Sequence, residues 1–206
     1  MKNFDKNIIQ LVSYPRAGSH WVRMVMEKYL GAYCLPTSFY NSKLHWGFHL
    51  HDREVGNGDE GITEGFDRVI YLYRNPVDVV YSLLKYEGWG NDRRGEIIEE
   101  YKIHLSRWLN NNSDIKHITF IKYEDIKADP VSSFTKILEF MGFQDVREDT
   151  LAKICNESTL ENLKQSIGND SVINKNHFGG DYKTEREKFR DNYGSSILKE
   201  FEGLWL

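Results

Sequence analysis

The passage from Ile8 to Leu30 narrows the possible folds more than any other part of the chain. Ile8 to Val12 is a short apolar run that ends in Ser13-Tyr14-Pro15-Arg16-Ala17-Gly18. Trp21, Val22, Met24, Val25, Tyr29 and Leu30 then recur at the spacing of one helix face, and Gly31 stands where a C-cap belongs. A buried strand, a glycine-containing turn and a helix form the opening unit of a parallel α/β sheet. Such a turn faces the first amides of a helix, which lack intrahelical partners, carry partial positive charge and favour an anion. Gly18 allows close backbone approach. Arg16 adds a forked cation and Ser19 a hydroxyl donor.

The same alternation continues. Val69 to Tyr73 reads as a second strand, and Asn75-Pro76 as the N-cap and first residue of a helix. Ile97, Tyr101, Leu105, Trp108 and Leu109 predict a helix from Glu96 to about Asn110. Ile118 to Ile121 is a third strand, and Asp129-Pro130 starts a helix that Gly142 ends. Short helices are expected over Thr150 to Cys155 and Leu160 to Gln165, a polar loop over Ile173 to Thr184, and a closing helix over Ser195 to Phe201. Ala32 to Phe66 has little periodicity and reads as irregular, with a short strand at Phe48 to His51. Strands alternating with helices predict an α/β fold, a central parallel sheet with helices on both faces. Ligands of such sheets lie beyond the carboxyl ends of the strands. That brings together the loop after the first strand, Arg74 after the second, and Tyr123-Glu124-Asp125 after the third.

The 206 residues are expected to form a single domain, residues 1–206. A net charge of −4 offers no bulk field for a nucleic-acid backbone, so no nucleic-acid partner is expected and any anion site is local. Cys34 and Cys155 lack CxxC spacing and read as reduced thiols. No apolar run approaches the ~20 residues of a spanning helix. The N-terminal segment is too charged for a signal peptide. These features predict a cytoplasmic protein. The Walker pattern GxxxxGK[ST] is absent, which weighs against a P-loop kinase or nucleotide hydrolase. A non-catalytic nucleotide-binding module is a third possibility.

Two stretches carry a resemblance. Ser13-Tyr14-Pro15-Arg16-Ala17-Gly18-Ser19-His20-Trp21 and Arg74-Asn75-Pro76-Val77-Asp78-Val79-Val80-Tyr81-Ser82 resemble the two signatures of the PAPS-dependent sulfotransferases. PAPS is 3′-phosphoadenosine 5′-phosphosulfate. Lys122-Tyr123-Glu124-Asp125 before Asp129-Pro130 resembles a third, weaker feature of that family. The resemblance implies a P-loop-like three-layer fold and sulfuryl transfer from PAPS to a small-molecule or carbohydrate acceptor, with no metal. Arg16, Ala17, Gly18, Ser19, His20 and Trp21 would hold the 5′ side of the nucleotide, and Arg74 and Ser82 the 3′-phosphate. Positions 75, 78, 82 and 85 also lie along one polar helix stripe. Arg16 stands where the family often has Lys, and a guanidinium, which stays protonated, favours charge stabilisation over proton donation. His20 stands where Thr is common.

In cytosolic members of the family the catalytic base is a histidine at the offset of His49-Leu50-His51 before Arg74. The alignment puts His51 on the base, with His49 as the substitute. Ser158 falls in a small hydroxyl segment that resembles an adenosine contact. The late Arg-Lys-Gly loop of the family is not preserved here, and Lys175 and His177 are left to supply charge, although Gly180-Asp181-Tyr182 keeps its second half. The dimer segment of cytosolic members does not follow Lys183, so the sequence assigns no oligomeric state. The identity of the acceptor is likewise unread.

Overall fold

The structure, a computed structural model, describes residues 9–35, 45–51, 68–113, 115–159, 162 and 181–204, with the backbone alone at 33, 35 and 45–51. Five strands form one parallel sheet: β1 (Ile9–Ser13), β2 (Tyr33–Leu35), β3 (His45–His51), β4 (Arg68–Tyr73) and β5 (Ile118–Lys122). Their order is β2-β3-β1-β4-β5. The helices are α1 (Ser19–Leu30), α2 (Pro76–Glu87), α3 (Arg94–Leu105), α4 (Tyr123–Ala128), α5 (Pro130–Phe140), α6 (Glu148–Glu157) and α7 (Tyr182–Glu200). Among the described residues no helix is long and apolar enough to cross a membrane.

Strand periodicity divides the core into two layers. Val12, Val69 and Tyr71 face a cluster built with α2, α3 and α7, including Val80, Leu84, Tyr101, Trp108, Phe189 and Ile197. Leu11, Ile70 and Leu72 face the opposite cluster with Val22, Met26, Phe134, Ile137 and Leu151 from α1, α5 and α6. Both faces of the sheet are thus covered, as continuous apolar strands require.

The caps fall where the sequence puts them. The side chain of Asn75 accepts from Val77 N–H at 2.9 Å, and Asp129 Oδ1 accepts from Ser132 N–H at 3.1 Å. Gly31 ends α1 at φ 64°, its N–H bonding the Glu27 carbonyl at 2.9 Å.

Three expectations change. The stretch read as irregular contains β2 and a β3 that begins at His45. His-Trp-Gly-Phe-His-Leu-His has no β-branched residue, so its extended form comes from pairing with β1 and β2 on either side. The third helix is α-helical only to Leu105, and Ser106–Asn110 widens into a π turn, Asn111 N–H bonding the Ser106 carbonyl at 3.0 Å. Tyr123-Glu124-Asp125 follows the third strand of the sequence reading as expected and forms the first turn of α4. The closing helix begins at Tyr182, inside the expected polar loop. Only Phe189, Gly194 and Ile197 of α7 are buried, so it carries almost no apolar period. The helix expected over Leu160 to Gln165 lies, Asn162 excepted, outside the described residues.

Candidate functional site

The site grows from the carboxyl end of β1. The sheet register sets Ser13 level with His51 on one side and Leu72 on the other. The chain order reverses about β1, which has β3 on one side and β4 on the other, and such a switch point opens a crevice. Tyr14 is fully buried and anchors the loop, its hydroxyl donating to Glu100 Oε2 at 2.8 Å and its ring 4.8 Å from Tyr101. The chain then turns through two left-handed residues, Arg16 at φ 69° and Gly18 at φ 107°. Gly18 is the N-cap of α1, without a side-chain cap. A Cβ at Gly18 would run into the ring of Tyr123. The glycine is therefore required twice, by its backbone angle and by the close approach of that ring.

Tyr123 is the hub of the arrangement. Its ring lies over Gly18, meets the edge of Trp21 at 5.9 Å, and carries the Arg74 guanidinium 4.5 Å from its centroid. Trp21 also meets Phe134 edge-on at 6.2 Å, and its Nε1 is buried without a partner among the described residues. Two aromatic rings and a cation thus converge beside the loop. Sequence reasoning placed Tyr123 near the site without giving it a role. The signal available was its position, first residue after a strand end.

Arg74 leaves the end of β4 and turns toward the loop. Nη1 donates to the Arg16 carbonyl at 3.1 Å, and Nη2 lies 3.6 Å from Asp78 Oδ2. Its backbone is gripped by one phenol: Tyr101 Oη accepts from Arg74 N–H at 3.1 Å and donates to the Arg74 carbonyl at 2.8 Å. Glu124 Oε1 accepts from the next amide, Asn75 N–H, at 3.0 Å. The Arg74 side chain is 12% exposed, and its Nε is buried without a partner among the described residues.

Ser82 reaches Arg16 rather than Arg74. Arg16 Nε donates to Ser82 Oγ at 3.0 Å, and the guanidinium lies 4.6 Å from the centroid of Tyr86. Burial holds the Arg16 pKa below the ordinary arginine value; Tyr182, Tyr86 and Glu87 oppose that shift and Arg74 adds to it. The nearby Arg74 charge places both cations in one electrostatic neighbourhood.

The remaining predicted positions divide. Ala17 and Ser19 are buried in the loop and first turn, and His20 is exposed beside them. Ser158 is buried at the C-cap of α6, its Oγ without a partner among the described residues. His49 and His51 belong to β3, whose backbone alone is described, with His51 at the carboxyl end and His49 level with Leu11. Lys175 lies outside the described residues.

The polar stripe of α2 is only partly solvated, at the exposed Lys85. Asp78 and Ser82 are buried. Arg190 of α7 forks onto Asp78, Nε to Oδ1 at 2.9 Å and Nη2 to Oδ2 at 2.7 Å. Lys85 Nζ meets Glu185 Oε2 at 2.5 Å, and Tyr81 Oη donates to the Tyr182 carbonyl at 3.5 Å. Sequence reasoning missed this clasp, because it joins residues about a hundred positions apart on a helix with no apolar period.

A glycine loop at a helix N-terminus, flanked by two arginines and two aromatic rings at a sheet switch point, defines an anion-binding α/β protein of the P-loop kind. Residues 59–195, more than half of the chain, match the family model for the sulfotransferase domain, and the chain belongs to that family. The amine sulfotransferase of Oryctolagus cuniculus is 23% identical over 95% of this chain and 73% of its own length. Cytosolic sulfotransferase 17 of Arabidopsis thaliana is 26% identical over 53% of this chain and 38% of its own length. Among solved structures, mouse sulfotransferase SULT7A1 complexed with PAP superposes with a TM-score of 0.61 at 20% identity, over 97% of this chain and 86% of that one. Retinol dehydratase in a complex with retinol and PAP gives 0.59 at 14% identity, over 97% and 81%. At these identities the structural likeness speaks for the fold.

Proposed function

We propose that this chain transfers a sulfuryl group from PAPS to a hydroxyl or amine of a small-molecule or carbohydrate acceptor. The acceptor atom attacks sulfur in line with the bridging oxygen of the 5′-phosphosulfate. The bond between sulfur and that oxygen breaks, adenosine 3′,5′-bisphosphate leaves with the electron pair, and the acceptor proton passes to a base. Positioning and charge stabilisation do most of the work, as in phosphoryl transfer.

One observation carries this reading. Arg74 at the end of β4 bonds the Arg16 carbonyl at 3.1 Å, so two arginines from separate strand ends stand at one glycine loop. A nucleotide with phosphates at both ends needs two such cations a ribose apart. The loop from Arg16 to Trp21 suits the 5′ side, with Arg16 stabilising charge on the leaving phosphate. Arg74 suits the 3′-phosphate. Trp21, half-buried beside the loop, offers ring surface for the adenine. Ser82, bonded to Arg16 at 3.0 Å, orients that cation beside the reacting phosphate, a different use from the shared grip expected with Arg74. Ser158, whose hydroxyl has no partner among the described residues, and Lys175 remain candidates for the adenosine and 3′-phosphate contacts. His51, level with Ser13 where the loop begins, is the better placed base, with His49 two residues deeper in the strand.

The chain is read as one domain, since a single sheet joins all five strands. A cytoplasmic setting is supported by relatives named cytosolic sulfotransferases.

Calorimetric titration with adenosine 3′,5′-bisphosphate and with ATP–Mg²⁺ tests the nucleotide, and preference for ATP would overturn the proposal. Transfer of radiolabelled sulfur from PAPS to a panel of alcohols and amines tests the reaction. Arg16→Ala and His51→Ala are expected to abolish most of it, and unchanged turnover in both would remove the mechanism.

A further inference from the structure

We propose that Arg190, on α7, is a positioning residue that keeps Arg74 available to the nucleotide by neutralising Asp78. The proposal rests on Arg74 as ligand of the 3′-phosphate. Arg190 lies outside both signature stretches, and nothing about its local sequence marks it.

The geometry is one carboxylate met by two guanidinium groups. Both oxygens of Asp78 accept from the Arg190 fork at 2.9 and 2.7 Å, while Oδ2 also lies 3.6 Å from Arg74 Nη2. The Asp78 side chain is 7% exposed and that of Arg190 is 45% exposed. A buried carboxylate facing Arg74 alone would close a pair with it, and a phosphate would have to compete for the same guanidinium. The carboxylate would also repel the phosphate directly. With Arg190 forked onto it, the Asp78 charge is met chiefly by the shorter, bidentate partner. Two guanidinium groups then share one carboxylate, and net positive charge remains at Arg74.

Arg190 is held to this task by the rest of α7. Lys85 to Glu185 at 2.5 Å and Tyr81 to the Tyr182 carbonyl fix the helix along α2. Phe189, beside Arg190 in sequence, packs against Tyr81 at 5.3 Å. The C-terminal helix thus supplies charge compensation to a site built at the sheet.

The test uses two probes, adenosine 3′,5′-bisphosphate and adenosine 5′-monophosphate, which differ by the 3′-phosphate. Calorimetry compares the wild type, Arg190→Met, Asp78→Asn and the double variant, with circular dichroism as the fold check. Arg190→Met is expected to weaken the bisphosphate about tenfold while leaving the monophosphate within about twofold. Adding Asp78→Asn to Arg190→Met is expected to restore the preference, because the uncompensated carboxylate is gone. Equal weakening of both nucleotides, or a double variant no better than the single, would make Arg190 a structural staple and overturn the proposal. Should Arg190→Met not fold, Arg190→Lys against Arg190→Gln decides: the charged variant keeps the preference and the neutral one loses it, and equal behaviour overturns it. Arg74→Met is the control for the underlying reading. If the wild type shows no preference for the bisphosphate, or keeps one after Arg74→Met, the assignment of Arg74 itself fails, a result distinct from failure at Arg190.

Discussion

Arg74 Nη1 donates to the main-chain carbonyl of Arg16 at 3.1 Å, so the arginine at one strand end braces the loop that carries the arginine of the other. The braced residue is held at φ 69°, a left-handed angle that costs a side-chain-bearing residue about 1–2 kcal/mol. Arg74 is therefore both a candidate phosphate ligand and a support for the loop. Arg74→Ala is expected to weaken adenosine 3′,5′-bisphosphate by about 2–3 kcal/mol, near the value of hydrogen bonds to charged groups. Arg74→Lys recovers only part, since a point charge cannot reach the carbonyl, Asp78 and a phosphate together. Calorimetric titration of the three proteins measures both effects.

Gly18→Ala tests the loop directly. The φ of 107° is closed to alanine at low cost, and the new methyl meets the Tyr123 ring. Destabilisation of about 1–3 kcal/mol is expected from the backbone alone. Denaturant unfolding gives the magnitude. Nucleotide affinity falls further than stability, because Tyr123 must move and carries Trp21 and Arg74 contacts with it. A Gly18→Ala protein of wild-type stability and affinity would show that the ring does not sit on the loop.

Ser82→Ala removes the hydroxyl that accepts from Arg16 Nε at 3.0 Å. A hydrogen bond to a charged group contributes about 1.5–3 kcal/mol, and here the charge is the one proposed to stabilise the leaving phosphate. A roughly tenfold fall in the single-turnover transfer rate is expected, with little change in nucleotide affinity. Loss of affinity with the transfer rate preserved would instead place Ser82 on the 3′-phosphate.

The thiols give a pH dependence. Burial, the largest cause, pushes the Cys34 thiol up from 9.0 to about 12, with Glu27 adding to the shift and Arg23 opposing it. Burial alone raises Cys155 to about 11. The fold favours the neutral thiols. Their contribution is complete below the unfolded value of 9.0 and is lost as pH climbs through 11 and 12. Unfolding free energy should therefore fall across that alkaline window, less steeply in a Cys34→Ala, Cys155→Ala protein. Iodoacetamide at pH 8 should label neither thiol until denaturant is added.

Much of the site was legible because its parts are local. The Asn75 and Asp129 caps, the Gly31 stop and the loop at Gly18 each depend on a few adjacent residues, and all appear where the sequence puts them. The apolar runs of β1, β4 and β5 carry their own strand signal. Of β3, only Phe48 to His51 is read from the sequence. His-Trp-Gly-Phe-His-Leu-His is extended because β1 and β2 supply hydrogen bonds on both edges, which no window of sequence contains.

The same limit explains α7. Its polar residues show no stripe, because the helix is fastened by Arg190 to Asp78 and Glu185 to Lys85 as well as by a few apolar contacts. Ser82 is a related case: the sequence sets it with Arg74 at one phosphate, and in the structure its hydroxyl accepts from Arg16.

The chain by itself determined which segments are strands and helices wherever burial is periodic, and it announced a loop able to hold an anion. Tertiary structure alone decided who meets whom at that loop: Tyr123 on Gly18, Arg74 on the Arg16 carbonyl, Arg190 on Asp78. Periodicity records only that one side of an element is buried. Pairings across dozens of residues depend on the order in which the strands lie, and that order is set by the packing of the whole sheet.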